Sequence, residues 1–400
     1  MIIFINIVNA LLRISYWFYV APMTSFASPV LLERGYTNAQ IGYIMAAGSF
    51  LAIFIQSILA SYADKHQEYS TIRISLWLAL SVLPIFMIVF FISRVSIILS
   101  LVYVLLFSIK TAFTPFINNF TAKLAETGFK PSFALTFSVG SIGYSLASTI
   151  VGKLNKLYGT KALLISSVVG LLSFIGMLFF ASKTLDKYIG KNQPVEKEKK
   201  EFVSYGQFLK KNRLYVIAII GVLFFYFSDS VFYNFTLQIV NNVGGDSEAM
   251  GLVLSIASMS QIPGFLVFPF IKKKSKYSTL LIFGAVMYAV RAAVIYSATS
   301  VTLLYVSGLV RMLNYPFFTS SIIPFVNEMM PKAEANRGQT LFTIASSVSS
   351  ILASFTGGRI IDAYGASAML LIATILAVVG VIIFIPAIIK TEKAHEGQLA

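Results

Sequence analysis

Apolar residues run almost unbroken for 20 or so positions at a time, and short clusters of charged and turn-forming residues separate one run from the next. A helix crossing the hydrocarbon core of a bilayer needs about 20 such residues, because ~1.5 Å of rise per residue must cover ~30 Å. Runs of this length lie near 8–32, 39–62, 71–93, 96–120, 132–154, 161–182, 214–241, 249–270, 278–298, 301–326, 339–358 and 367–389. The pattern predicts an all-α membrane protein with twelve transmembrane helices. Met1–Ile14 has the apolar character of a leader, but no small-residue cleavage site follows and the run continues to Leu32, so it reads as the first span.

Composition strengthens this reading. Apolar residues make up 57% of the 400 residues, charged residues only 12%, and the mean hydropathy is +0.80. A soluble domain carries roughly 25% charged residues, so there is too little polar surface here to cover a particle in water. The net charge of +15 would suggest nucleic acid in a soluble chain. Its distribution gives another explanation. With the N-terminus inside, alternate loops on the cytoplasmic side hold 21 lysines and arginines against six outside, among them Lys272, Lys273, Lys274 and Lys276 inside. This is the bias that orients membrane helices. It predicts a multi-pass protein of the cell membrane with both termini cytoplasmic, the lipid bilayer as its surroundings and no nucleic-acid partner. The absence of cysteine leaves the redox compartment undefined.

One polar stretch, 183–213 with EKEKKE at 196–201, divides the runs six and six. It reads as a solvated basic linker between bundles at 1–182 and 214–389, with a tail at 390–400. The two halves resemble each other. TPFINNFTAKL (114–124) aligns with IPFVNEMMPKA (323–333), pairing Pro115, Phe116, Asn118 and Lys123 with Pro324, Phe325, Asn327 and Lys332. Gly152, Tyr158 and Gly159 pair with Gly358, Tyr364 and Gly365, Gly42 with Gly251, and Tyr69-Ser70-Thr71 with Tyr277-Ser278-Thr279. The offset stays between 206 and 209 residues. A steady offset that carries polar landmarks is the mark of an internal repeat.

Two six-span halves joined by a basic loop resemble the major facilitator superfamily, and in particular its lactose-permease-like branch of oligosaccharide, phenylpropionate and nucleoside permeases. The local signs are Gln56 eight residues before Asp64, PFINNFTAKL leaving helix 4, GSIGYSLAS (140–148) in helix 5 and NYPF (314–317) in helix 10. The resemblance implies a secondary transporter working by alternating access, as a functional monomer and without a cofactor, with helices 1, 4, 7 and 10 lining a central cavity. It also implies a gating role for Asp64 and Gln56.

Charges within the spans carry the chemistry. Asp229 is the one acidic residue deep in a span, and Arg13, Lys110, Arg291 and Arg311 are the embedded cations. A charge at the bilayer centre costs at least ~2.5–3.5 kcal/mol on insertion scales, so each should be paired or face water. Asp229 and Arg311 fall near mid-depth, and Arg13 lies near the inner end of its helix, where it could snorkel to the headgroups. Asp229, Arg311 and Lys110 are therefore expected to serve proton coupling, with Asp229 binding the proton as its partners change. Set against lactose permease, the resemblance puts Asn314 where the helix 10 coupling carboxylate stands, Arg311 at its neighbouring histidine and Asn118 at the sugar-binding glutamate. The helix 5 arginine falls near Phe137. Tyr144 retains the aromatic platform and Arg291 the helix 9 arginine. Asn118, Tyr144, Arg291, Asn314, Tyr233, Asn234 and Tyr19 are thus expected to bind substrate. Aromatic rings beside amides suit a sugar or nucleoside, and the excess of cations admits an organic anion.

The expected activity is proton-coupled uptake of a small polar solute such as a sugar or oligosaccharide. Alternatives are uptake of a nucleoside or organic anion, drug/proton antiport, and a non-transporting sensor on the same fold. An enzyme is disfavoured. His66 and His395 lie in a loop and the tail, cysteine is lacking, no metal-ligand set appears, and there is no GxxxxGK[ST] phosphate loop.

Overall fold

A computed structural model describes residues 2–66, 70–126, 133–188 and 205–399. The core of the 183–213 linker, including 196–201, lies outside the described residues, as does the side chain of Asp64. The described chain is helical, and no strand occurs in it. The helices are α1 (Ile2–Val20), α2 (Ala27–Glu33), α3 (Asn38–Lys65), α4 (Thr71–Phe91), α5 (Ile97–Glu126), α6 (Phe133–Tyr158), α7 (Thr160–Tyr188), α8 (Tyr205–Lys211), α9 (Arg213–Asn234), α10 (Thr236–Asn242), α11 (Ser247–Met259), α12 (Gln261–Lys272), α13 (Tyr277–Tyr296), α14 (Val301–Met329) and α15 (Lys332–Leu399).

Eight helical stretches among the described residues are long and apolar enough to cross a membrane. Not every apolar run is one continuous helix. The first run is broken by a π turn at Ala21–Ser25 that ends at Phe26, and the seventh is broken at Phe235. The last two runs form the single element α15, folded at Gly365. α14 falls outside the eight because polar residues such as Arg311 and Asn314 interrupt its apolar run. Lipid-directed apolar side chains are plain on the outside, with Phe91, Ile97 and Phe270 largely exposed. In water such a surface would be an interaction patch, and in a bilayer it is the solvated face.

The internal repeat appears in the backbone itself. Helices α2 and α10 are each seven residues long and start 209 residues apart, the breaks at Phe26 and Phe235 share that offset, and α3 and α11 start at Asn38 and Ser247, 209 apart again. Gly35 and Gly244 both have positive φ (89° and 78°), as do Gly159 and Gly365 (71° and 83°). A left-handed φ is cheap only for glycine, which is why the Tyr-Gly pairs end helices at matched places in both halves. Thr37 caps α3 in a reciprocal capping box with Gln40, and Ser70 caps α4 through the Arg73 amide.

The chain divides into two compact units, Met1–Glu196 with Gly245–Met259, and Lys197–Gly244 with Ser260–Ala400. In the first, helices approach through glycine. A side chain on Gly251 of α11 would meet the Ser148 carbonyl of α6 at 2.4 Å, and one on Gly152 would meet the Ser247 carbonyl at 2.6 Å. Small residues at crossings let backbones pack closely where lipid offers no hydrophobic drive. The Ser145 and Ser255 hydroxyls reinforce this seam with a 2.6 Å bond. The second unit repeats the device where Gly221 of α9 faces Gly380 of α15. Its core is aromatic, with Phe225, Tyr288, Phe318 and Phe384 packed together.

Candidate functional site

Three helices of the second unit bring charge together. Asp229 of α9 accepts from Arg291 Nη1 of α13 at 2.6 Å and from Arg311 Nη1 of α14 at 2.8 Å, both on the same oxygen, Oδ1. All three side chains are buried or nearly so, with Arg291 only 2% and Arg311 7% exposed against 13% for the aspartate. Buried charges survive when they are paired and hydrogen-bonded, and charge-assisted bonds are the strong ones.

The two arginines are held differently. Arg291 also donates Nε to the Ser307 carbonyl at 3.2 Å, and its guanidinium lies 4.2 Å from the centre of the Phe232 ring. Arg311 sits between Tyr233 and Tyr315, 4.6 Å from each ring centre, where the π faces favour a cation. Donors remain unfilled in this cluster: Arg291 Nη2, Arg311 Nε and Asn314 Nδ2 are buried with no partner among the described residues. Asn314 uses its oxygen on the Tyr315 amide at 2.6 Å.

Of the residues expected from sequence to act in this region, Asp229, Arg291, Arg311 and Tyr233 come together here, and Asn314 lies one helical turn from Arg311. Arg291, which the resemblance reserves for substrate, is shared with Asp229. Asn234 stands aside, donating to Ser354 at 2.8 Å. Tyr315 joins the cluster without a sequence expectation of its own, although it lies within the NYPF signal. Phe232 and the Ser307 carbonyl carry no sequence signal, because only helix packing brings them to Arg291.

The first unit contains the remaining expected residues. Lys110 is half-buried; its ammonium lies 5.8 Å from the Phe107 ring centre, and no carboxylate pairs with it among the described residues. Tyr16 bonds the Lys110 carbonyl and the Thr114 hydroxyl, each at 3.1 Å. Tyr144 bonds Ser25 at 2.8 Å and meets Trp17 edge-on. Tyr19 is fully enclosed, its ring stacked on Phe174 and its hydroxyl without a partner among the described residues. Gln56 donates to the Thr111 carbonyl at 2.9 Å and so ties α3 to α5. Asn118 accepts from Arg13, which also donates to Thr121 at 2.8 Å. Arg13 therefore turns onto α5, where two acceptors hold its guanidinium.

The family comparison makes this all-helical membrane fold, with its internally repeated halves, a major facilitator transporter and not an enzyme. The sequence model of the MFS_1-like family matches residues 10–372, and the chain belongs to that family. No curated protein matches it by sequence. Among solved structures it is similar to the nucleoside transporter NupG: a point mutant of that protein superposes with a TM-score of 0.80 at 16% identity, covering 97% of this chain and 100% of that one. A second NupG structure gives 0.75 at 17% identity, covering 97% and 99%. A bacterial homolog of the human lysosomal transporter Spinster, in an inward-facing and unoccupied conformation, gives 0.65 at 13% identity over 99% and 97%.

Proposed function

We propose that this protein is a secondary active transporter that takes up a small polar solute together with a proton, by alternating access between two six-span halves with both termini in the cytoplasm. The observation that carries the coupling is the Asp229 carboxylate, embedded in a span and held by two arginines on one oxygen. In general a neighbouring cation favours the charged form of a carboxylate, and its departure removes that preference. A conformational cycle that alternately makes and breaks the Arg311 contact would load and release that proton.

A sugar or oligosaccharide is the first reading for the solute, because the Asn314 amide and several aromatic rings lie at the cluster. The similarity in fold to a nucleoside transporter favours a nucleoside as the second. Reconstitution into proteoliposomes tests the coupling. Labelled solute should accumulate against its gradient only under an inward pH gradient, and Asp229→Asn should retain exchange but lose the accumulation. Accumulation driven by pH in Asp229→Asn would remove Asp229 from the mechanism.

A further inference from the structure

The α9–α13–α14 cluster carries an imbalance that ion pairing alone does not explain. Two guanidinium groups face one carboxylate, which leaves one excess positive charge in a buried site. Among the described residues the other titratable groups around it are tyrosines, Tyr226 and Tyr233 on α9, Tyr288 on α13 and Tyr315 on α14, and a tyrosine is ordinarily neutral near pH 7. Every unfilled atom of the guanidinium and amide groups here is a donor. Buried donors without partners cost free energy, and a site with several, beside an excess cation, is shaped for an anionic acceptor.

We propose that this cluster receives a single carboxylate carried by the solute, with Arg311 as the residue that takes it; this rests on the transport reading above and narrows its solute to a monoanion such as a uronic acid. The two arginines divide the work. Arg291 is pinned by Asp229, the Ser307 carbonyl and the Phe232 ring. Arg311 has Asp229 as its one acceptor among the described residues and keeps Nε free. It lies between two tyrosine rings that leave its plane intact for a flat two-point bond with a carboxylate. The Asn314 amide, one turn along the same helix, offers a further donor.

Charge conservation supports this assignment. The three charges of the cluster sum to one positive. When the solute carboxylate takes Arg311 and Asp229 takes a proton, the sum is again one. A neutral solute entering with a proton would instead raise it to two in the same buried volume, at a steep cost. Proton and monoanion together pass through the site without altering its charge.

Purified protein in detergent should be heated with galacturonate or orotidine, and separately with their uncharged counterparts galactose and uridine. The expected result is that at least one acid raises the unfolding midpoint while its neutral twin does not. Arg311→Gln should weaken binding of that acid about tenfold or more, and Arg311→Lys should recover part of it. Arg311→Gln leaves a neutral Asp229–Arg291 pair, so its fold should survive, and its midpoint without ligand checks this. A neutral twin that stabilises as well as its acid, no shift from either acid, or undiminished acid binding by Arg311→Gln overturns the proposal. Uptake of the bound acid that ignores a pH gradient would overturn the coupling reading and leave the anion site standing.

Discussion

The two halves of the chain share a backbone plan and differ in the chemistry placed on it. Helix breaks, short helices and left-handed glycines recur at a constant offset, yet the charges do not. At that 209-residue offset Asp229 corresponds to Val20, Arg311 to Val102, and Lys110 to Thr319. The second unit holds a paired ionic cluster with spare donors. The first holds an aromatic and hydroxyl network around Tyr16, Tyr19 and Trp17, and a lysine with no carboxylate among the described residues. Repetition preserves what the backbone requires, and buried charge marks where one copy was specialised.

The comparison can be broken most forcefully at Asp229. Asp229→Ala leaves two buried guanidinium groups uncompensated, and removing one partner of a buried pair costs about 3–5 kcal/mol. The unfolding midpoint should fall sharply and uptake should cease; an unchanged midpoint would mean that the cluster is hydrated and its charges independent. Lys110→Met should go the other way. No carboxylate among the described residues is stranded, and relief of an embedded charge is worth up to ~2.5–3.5 kcal/mol, so heat stability should rise. A fall would reveal that Lys110 has a partner in the folded protein. Both effects can be read by thermal unfolding in detergent.

The packing seams should respond more evenly. Gly251→Leu and Gly221→Leu each force a side chain against backbone at about the same distance, and overpacking costs about 1–3 kcal/mol. Similar losses in the two units would confirm that the shared plan carries the packing. The smallest effect belongs to Lys156, which bonds Glu248 at 2.7 Å and Asp246 at 3.0 Å on an exposed rim. The Asp246 carboxyl is held below its usual range first by the Ala249 amide and then by Lys156, with burial opposing, and Lys156 is raised first by Glu248. A lowered carboxyl pKa gives stability above its unfolded value, lost as pH falls through the lowered one. A raised lysine pKa gives stability below its unfolded value, lost as pH rises through the raised one. Lys156→Gln should therefore shift the midpoint slightly and by the same amount from about pH 5 to 9. A shift that grew within that window would indicate a further titrating partner.

Much of this fold could be read in the chain. Apolar runs announced the helices, and the paired Tyr-Gly dipeptides at 158–159 and 364–365 announced the repeat, although not that their glycines take a left-handed φ at matched helix breaks. The breaks at Phe26 and Phe235 could not be read. Both lie inside largely apolar stretches, where periodicity has no polar face against which to register a kink. The charged site was half legible. An aspartate among a few embedded cations had to be paired, but the choice of Arg291 and Arg311 over Lys110 depends on which helices meet. The stacking of Arg311 between Tyr233 and Tyr315 depends on the same packing.

The matched interruptions at Phe26 and Phe235 have a mechanical consequence. A continuous helix bends as a stiff rod, and its compliance is spread along its length. Where the ladder of hydrogen bonds is disturbed, stiffness drops at one point, and the seven-residue segments beyond each break can tilt like a short arm on a pin. Both phenylalanines are fully buried, and the ring of Phe235 rests on Gly357. Each break is thus seated in a socket, and Asp229 lies on the long segment of α9, on the other side of its break from the short arm.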